Sequence, residues 1–568
     1  MRLDPVVTGL IANRLVSIVD EQQAALVRTA FSTIVRESQD LACGVFDPRG
    51  RMIAQSLTGT PGHINSMATG MRHFVEAYPA DRLAPGDVLA TNDPWQTSGQ
   101  LNDFTVASPV FRRDRLIGWF ANTCHCADIG GRVLSGEATE VYEEGLRVPI
   151  MKLFVGGEAN RELLDIVRAN VRAPGETVGD LYAQTACNDV GTRRLLELLD
   201  EVELDSLEAV ADEIVDRTER AMRNAIDRFP DGVYQAATWS DGIDDEPVRL
   251  QATARIAGDE ATIDFAGSSP QSRHGINVVL NYTHAYASFA MKAALAPDVP
   301  HNEGSFRPVH VTAPPGSILN ATPPAAVGSR HTIGHFLPGL IFLALADAQP
   351  GRLLAGGADS VWLTMLRGQR GNGEWFMLGL FQAGGIGARA EKDGLSATGF
   401  PTGVGGVPVE VIETLTPLIQ HRRELRADSG GAGRRRGGLG QSTELSNASG
   451  ERWTVSAMID RTRFAGPPLD GGREGALGEL LGADGERLPP KRLVDLGPDD
   501  RLHLNPPGGA GYGEPRAREP ELVLRDVVDG YVSLEAAERE YGVRIRYTGP
   551  PEALVRTPDL YEIDAVLR

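Results

Sequence analysis

One stretch of the sequence combines a strand-like pattern with reactive side chains at its open end. Residues 98–131 read SGQLNDFTVASPVFRRDRLIGWFANTCHCADIGG, with an apolar run on each side of a charged turn at 113–115. If three residues form this turn, the numbers of opposed positions add up to 228, and Asp103 lies across from His125. Opposed side chains on one face of a hairpin have Cβ atoms about 4.5–5.5 Å apart. We therefore expect an acid and an imidazole to meet at the unjoined end of the hairpin.

Such a pair has two chemical uses. The acid and the imidazole can be two ligands of one metal ion, or the carboxylate can hold the imidazole in one tautomer. Gln100 offers a further oxygen, and Asp93 and Asp128 lie on the loops before and after the hairpin. Oxygen and imidazole ligands favour Mn, Mg, Fe or Zn. The plain alternative is a structural hydrogen bond, and Pro109 is able to distort the register through a bulge.

The surrounding elements alternate between helical and strand-like patterns. Apolar residues return at helical spacing between residues 4 and 38, and a hairpin pattern with Asp47-Pro48-Arg49-Gly50 as its turn follows. The fold class predicted from these patterns is α+β, a large chain of several domains. The predicted regions are an N-terminal α/β region with the candidate metal site (1–160), a helical region (161–230), a central α/β region (231–430) and a β-rich C-terminal region (431–568).

Composition and charge restrict the partners. The formal net charge is −20, which repels nucleic acid and anionic membrane surfaces, so we expect neither as a partner. The four cysteines form no CxxC pair, and no stretch approaches the twenty apolar residues of a membrane helix, so we expect a soluble cytoplasmic protein. The sequence contains no GxxxxGK[ST] phosphate loop, no GxSxG elbow and no HExxH pair.

Several segments, taken together, resemble the hydantoinase B/oxoprolinase family. They run in order along essentially the whole chain, and they include RESQDLACGVFDPRGRMIAQ (36–55), GHINSM (62–67), GDVLATNDP (86–94), LNDFTVASPVF (101–111), CHCADIGG (124–131), PVEVIETLTPL (408–418), NPPGGAGYGEP (505–515) and DGYVSLEAAEREYGV (529–543). The resemblance implies a B-type subunit that forms a hetero-oligomer with an A-type subunit of actin-like fold. ATP would bind to that A-type subunit.

The same resemblance implies a metal site. In carboxylase relatives a divalent ion, usually manganese, is held by the His and Asp of an HxxD run and by the first His of an HHADIGG run. Asp103 and His125 match two of these ligands, whereas Gln100 stands at the first histidine position and Cys126 replaces the second histidine of the pair. Glutamine is a weaker ligand than imidazole for late divalent metals. The predicted ligands are therefore Gln100, Asp103 and His125, in a site that is weakened, retuned or lost.

The function implied by the resemblance is the ATP-dependent opening of a cyclic amide, as in an N-methylhydantoinase, an oxoprolinase or a lactamase. A metal-bound water near Asp103 and His125 would attack the activated amide. The candidate catalytic residues around this water are Glu37, Asp40, His63 and Asp93, although a capping or core role is the ordinary interpretation of His63. Two alternatives stay open: a subunit of an ATP-dependent ketone carboxylase, and a scaffold subunit without catalysis.

Overall fold

The predicted hairpin lies within a seven-stranded sheet of the N-terminal region, in a computed structural model that describes residues 5–244, 246–553 and 555–567. Its strands are β1 (Leu41–Phe46), β2 (Met52–Gln55), β3 (Val88–Thr91), β4 (Asp103–Arg112), β5 (Arg115–His125), β6 (Met151–Val155) and β7 (Glu158–Ala159). They are ordered β2-β1-β5-β4-β3-β6-β7, and every neighbouring pair is antiparallel. The central position of β4 and β5 buries the open end of the hairpin.

The predicted pairing of Asp103 with His125 is confirmed, but the predicted turn is wrong. Only Arg113 and Asp114 form the turn, and both have positive φ, 48° and 62°. A bulge after Val110 then places one extra residue, Ile117, in β5. Because this extra residue compensates for the shorter turn, the register at the open end is the one that a three-residue turn would give.

Helices cover both faces of this sheet. Leu41 and Cys43 pack against α1 (Pro5–Thr29) and α6 (Pro174–Glu201), whereas Ala42 and Phe46 face α3 (Pro61–Ala77), as the two-residue repeat of a strand requires. Complete burial of a side chain of the size of Phe46 stabilises the fold by about 2 kcal/mol. The helices of this half of the chain are α1 (Pro5–Thr29), α2 (Thr33–Arg36), α3 (Pro61–Ala77), α4 (Val141–Glu144), α5 (Arg161–Asn170), α6 (Pro174–Glu201) and α7 (Glu208–Asp227).

The same repeat decides which face carries the reactive pair. Trp119 and Ala121 of β5 pack with α3, and His125 has the same parity, so its side chain falls on the α3 face. His63 lies in the first turn of α3 and therefore comes to lie over the pair.

The central part of the chain adds a second sheet and the helix that packs behind α3. Its elements are β8 (Gly232–Ile243), β9 (Glu246–Ala257), β10 (Glu260–Asp264), α8 (Leu280–Leu295), α9 (Glu303–Phe306), β11 (Val309–Thr312), α10 (His331–Gly334) and α11 (Phe336–Leu345). The sheet order is β11-β10-β9-β8. Gly62 allows the contact between α3 and α8, because a Cβ atom there would lie 2.6 Å from the Tyr282 ring. The apolar run His331–Ala348 is long enough to span a membrane, but 72% of it is buried inside the fold.

Two further four-stranded sheets and a small terminal unit complete the chain, which is mixed α and β as predicted. The remaining elements are β12 (Trp362–Gln369), β13 (Trp375–Gln382), α12 (Val409–Leu415), β14 (Leu418–Leu425), β15 (Gln441–Asn447), β16 (Trp453–Met458), β17 (Glu479–Leu481), β18 (Leu493–Leu496), β19 (Arg501–Asn505), α13 (Pro520–Val528), α14 (Leu534–Tyr541), β20 (Val543–Tyr547) and β21 (Tyr561–Val566). Ser533 caps α14 as predicted, since its hydroxyl accepts a hydrogen bond from the Ala536 N–H. The bounds of the four predicted regions stay predictions.

The hairpin turn offers a test of this account. Both turn residues have positive φ, a conformation that Asn-Gly adopts at lower cost than Arg-Asp. We expect R113N/D114G to raise the free energy of unfolding by about 0.5–1 kcal/mol in urea denaturation. The control variant R113A/D114A removes the same charges but keeps both Cβ atoms, and it should show no gain. Equal stabilities of the two variants would contradict the turn geometry.

Candidate functional site

Polar side chains from several separate parts of the chain converge on a small cavity of about 30 Å³. This is room for about one water molecule. Leu363, Phe381, Thr402 and Val404 form part of its wall. The other lining residues carry polar groups, and they are Asp40, Thr60, His63, Gln100, His125, Tyr282, Arg330, His331 and His335.

Asp103 is the fully buried carboxylate around which these groups are arranged. Its Oδ1 lies 2.9 Å from the Gln100 amide nitrogen and 2.9 Å from His125 Nδ1. Its Oδ2 contacts His63 Nε2 at 3.2 Å and accepts a hydrogen bond from the Arg330 guanidinium. Burial alone would raise the pKa of Asp103, but the charges of Arg330 and His63 hold it well below its usual range.

His125 presents a free ring nitrogen to the cavity. Its Nδ1 lies 2.9 Å from Asp103 and 2.8 Å from the Gln100 amide nitrogen. We assign the imidazole proton to Nδ1, because the ionised carboxylate is the strongest acceptor present. The buried Nε2 has no hydrogen-bond partner in the part of the chain that the structure describes. Two uses were predicted for this pair, ligation of a metal ion and control of the imidazole tautomer. The observed contact fits the second, because the carboxylate fixes the tautomer.

His63 also lines the cavity, and burial and the neighbouring charges shift its pKa in opposite directions. Burial would lower the pKa of His63, but Asp103 and Asp40 outweigh this effect and raise it. Its Nδ1 lies 3.5 Å from Asp40, whose carboxylate also accepts a hydrogen bond from the Thr60 hydroxyl. The predicted candidates His63 and Asp40 therefore both line the cavity. His63 is suited to carry a proton there.

Arg330 was missed by sequence reasoning, and it brings a permanent positive charge into the site. Its Nε donates to the Ser98 carbonyl at 2.6 Å, and its guanidinium carbon lies 4.0 Å from the centre of the Tyr282 ring. The side chain is 2% exposed. Burial raises the pKa of Tyr282 to about 12, so this ring stays neutral beneath the cation.

Two further histidines that sequence reasoning did not place in the site, His331 and His335, line the cavity. Burial and the charge of Arg330 lower the pKa of His331 to about 3. Burial, together with His331, also holds the pKa of His335 well below its usual value. Both rings are therefore neutral. The RHTIGH spacing was the available signal, since it places these rings on the same side of one helical turn.

Glu37 and Asp93 are outside the set of cavity-lining residues. Glu37 lies 3.8 Å from Arg36 in an ion pair at the surface. Asp93 accepts a hydrogen bond from Arg147 Nε at 2.9 Å and another from the backbone N–H of Trp95. These contacts give both carboxylates structural partners, and the predicted catalytic roles of Glu37 and Asp93 stay predictions without support from a contact in the cavity.

The predicted metal ligands Gln100, Asp103 and His125 do lie together, but their contacts do not fit a divalent ion. Both oxygens of Asp103 are used by donors, and Gln100 turns its amide nitrogen toward the carboxylate. A guanidinium already supplies positive charge beside them. Within residues 5–244, 246–553 and 555–567, no three His, Cys, Asp or Glu side chains are placed to hold a metal ion.

Glu144 holds the segment that carries Arg330 and His331. Its Oε1 accepts hydrogen bonds from the backbone N–H groups of Val327, at 2.8 Å, and Gly328, at 2.6 Å. Its buried Oε2 has no hydrogen-bond partner among the residues described. Burial raises the pKa of Glu144 to about 8, only partly offset by the two backbone N–H groups, so this carboxyl is mostly protonated at neutral pH.

Comparison with known proteins agrees with this architecture. The sequence model of the hydantoinase B/oxoprolinase family matches residues 4–515. A putative D-/L-hydantoinase B-type subunit of Pseudomonas sp. (strain NS671) is 32% identical, over 96% of each chain. The beta chain of the caprolactamase of Pseudomonas jessenii is also 32% identical, over 96% of this chain and 97% of the relative. A 5-oxoprolinase of Pestalotiopsis fici is 28% identical over 90% of this chain, and the match spans 42% of that longer protein.

Two solved structures share the fold. The crystal structure of the ATP-dependent caprolactamase from Pseudomonas jessenii has a chain that is 30% identical, with a TM-score of 0.89 over 97% of this chain and 98% of that one. A nucleotide-free acetone carboxylase structure has a TM-score of 0.86 over 99% of this chain and 81% of that one. At 21% identity, this second match establishes the fold alone.

Protonation of Glu144 gives a prediction on stability. Its pKa is about 8 in the folded chain against an ordinary value of 4.5, so the folded state keeps a proton that the unfolded state has released between these values. We expect the free energy of unfolding to fall as pH rises through this window, by up to about 1.4 kcal/mol per pH unit. The measurement is the urea midpoint at several pH values.

E144Q should remove this contribution to the slope, because glutamine carries no titrating proton. E143Q is the matched control, since Glu143 is partly exposed and hydrogen bonds from Thr139 lower its pKa, away from this window. Indistinguishable slopes for E144Q and the unmodified chain would show that Glu144 is not protonated in the folded state.

Proposed function

The chain belongs to the hydantoinase B/oxoprolinase family, and on this premise we propose that it is the hydrolytic subunit of an ATP-dependent enzyme that opens cyclic amides. The observation that carries the proposal is the buried His125, whose Nδ1 is held by Asp103 and whose free Nε2 faces a cavity of the size of one water. An imidazole oriented in this way is suited to accept a proton from water.

An amide carbonyl is a poor electrophile, so ATP is used first to phosphorylate its oxygen. Water then adds to the amide carbon, and its proton passes to Nε2 of His125. The carbon–nitrogen bond breaks, and the ring nitrogen takes a proton from His63, whose Nδ1 also faces the cavity. A second water releases phosphate from the acyl phosphate. Cyclic amide, ATP and two waters thereby give the ring-opened amino acid, ADP and phosphate.

The other residues of the cavity prepare these groups. Asp103 holds His125 in the tautomer needed for proton transfer, and Arg330 keeps Asp103 ionised. Asp40 contacts His63 and favours its protonated form. The neutral His331 faces the same cavity with an unpartnered ring nitrogen, which is suited to position the water.

We propose that phosphorylation takes place on a separate A-type, ATP-binding subunit in a hetero-oligomer. Two relatives of nearly the same length are named as the B and beta components of their enzymes, and the 5-oxoprolinase carries the matching region in a polypeptide more than twice as long. The rest of that longer polypeptide is the counterpart expected of the partner. The predicted cytoplasmic location agrees with a supply of ATP, and the predicted divalent metal is not needed for the steps above.

Ketone carboxylation is the less favoured function. The acetone carboxylase match establishes the fold alone, whereas two relatives at 32% identity are named for hydantoin and lactam chemistry. A cavity with room for about one water does not distinguish hydantoin, oxoproline and lactam rings, so a substrate panel is needed to identify the cyclic amide.

The test uses the chain assembled with its co-purified ATP-binding subunit and a panel of hydantoin, 5-oxoproline and caprolactam. We expect H125Q to lower kcat for ring opening by about 10²-fold or more, since general base catalysis contributes this much. The exposed His310 provides the matched control H310Q, which should retain turnover. Ring-opened product is measured by chromatography, and a thermal melt verifies the fold of each variant. Full turnover in H125Q would favour the scaffold alternative.

A further inference from the structure

The cavity already contains a permanent positive charge beside Asp103, where the predicted metal ion would lie. Arg330 contacts Asp103 Oδ2, is 2% exposed and cannot lose its proton at physiological pH. Its Nε donates to the Ser98 carbonyl, and its guanidinium lies over the Tyr282 ring. Glu144 holds the backbone just before it. The Ser98 carbonyl and the Tyr282 ring therefore hold this guanidinium against the carboxylate, and Glu144 holds the backbone that precedes it.

Asp103 has no acceptor position left for a metal ion. A carboxylate has about four lone-pair positions, and four groups already approach its two oxygens. Gln100 and His125 approach Oδ1, both at 2.9 Å, while His63 at 3.2 Å and Arg330 approach Oδ2. A metal ion would have to displace a donor, and it would then lie next to the guanidinium charge.

Gln100 adds to this effect, because its amide nitrogen donates a hydrogen bond to Asp103 Oδ1 at 2.9 Å. An amide nitrogen does not ligate a metal through its protons, and turning the amide would bring its oxygen against the ionised carboxylate. Of the three predicted ligands, only two have a free acceptor atom among the described residues, His125 Nε2 and Gln100 Oε1, because donors already use both oxygens of Asp103. Catalytic metal sites in proteins use about three ligands from the chain.

We propose that Arg330 is the resident cation of this centre, and that the chain binds no divalent metal there because Arg330 and Gln100 together exclude it. The class of ligand left for the cavity is a water molecule or an uncharged carbonyl, activated by imidazole groups alone. Arg330 acts as a positioning residue, since it touches Asp103 rather than the reacting atoms. The inference takes its catalytic meaning from the proposed function, but its test does not depend on that function.

Metal content of the isolated, tag-free chain is the first measurement. The chain is incubated with Mn²⁺ or Zn²⁺, desalted and analysed by mass spectrometry of the metal. We expect no stoichiometric metal. About one ion per chain, lost in H125Q, would overturn the proposal.

The second measurement asks whether the two named residues exclude the ion. Q100H/R330Q supplies an imidazole and removes the fixed charge, so we expect its metal content to rise at least tenfold, to about one ion per chain. R461Q is the matched control, because it removes another buried arginine, paired with Asp359, that does not line the cavity. R461Q should stay free of metal. A folded Q100H/R330Q that binds none would contradict the roles given to Arg330 and Gln100.

If the double variant does not fold, the metal content of the single variant Q100H still tests the role of Arg330. With Arg330 in place, Q100H should still bind no metal, and stoichiometric binding by Q100H would show that the guanidinium does not exclude the ion. Each of these measurements omits ATP, the partner and the amide substrate. If the hydrolysis proposal fails, the expected metal contents therefore stay the same. If the chain binds a metal ion, that result does not identify the substrate of the enzyme.

Discussion

The burial of one negative charge, that of Asp103, imposes the arrangement of the whole site. A carboxylate removed from water is costly unless donors and an opposite charge surround it. Here the donors come from α3, from β5, from the loop before β4 and from the segment around α10. Because each donor must reach the same two oxygens, the relative positions of these elements are determined by Asp103.

This constraint explains why catalytic and structural roles are hard to separate in the cavity. Arg330 compensates the charge of Asp103, and Asp103 in turn fixes the proton on His125. Removing either charged partner would leave the other buried without compensation, a change that destabilises proteins as well as altering their activity. His125 Nε2 lies at the end of this chain of contacts, so its substitution reports on chemistry with the least disturbance of the fold.

The pair Asp103–His125 could be predicted from the sequence because strand pairing is local and has a period of two residues. The prediction nevertheless depended on a compensation, since the shorter turn at Arg113 and Asp114 is offset by the bulge after Val110. Bulges have no clear signal in a single sequence. The same parity rule, with the position of α3, also explains why His63 lies over this pair.

Arg330 and His331 could not be found in this way, since they are separated from Asp103 by more than two hundred positions in the sequence. No periodicity relates them to the hairpin, and a contact of this kind is decided by packing of α8 between α3 and α10. Glu37 and Asp93 show the converse difficulty. Both stand in segments that match the family, yet Glu37 pairs with Arg36, and Asp93 accepts hydrogen bonds from Arg147 and from the Trp95 backbone N–H.

These long-range contacts also bear on the predicted division of the chain. Asp103 lies in the predicted region 1–160 and Arg330 in the predicted region 231–430, so the charge of one region is neutralised by the other. In an N-terminal region folded alone, the negative charge of Asp103 beside His63 and His125 would lack the compensating charge of Arg330. The site therefore belongs to both regions. Assembly of the proposed hydrolytic centre requires the central region to be in place, because that region supplies Arg330.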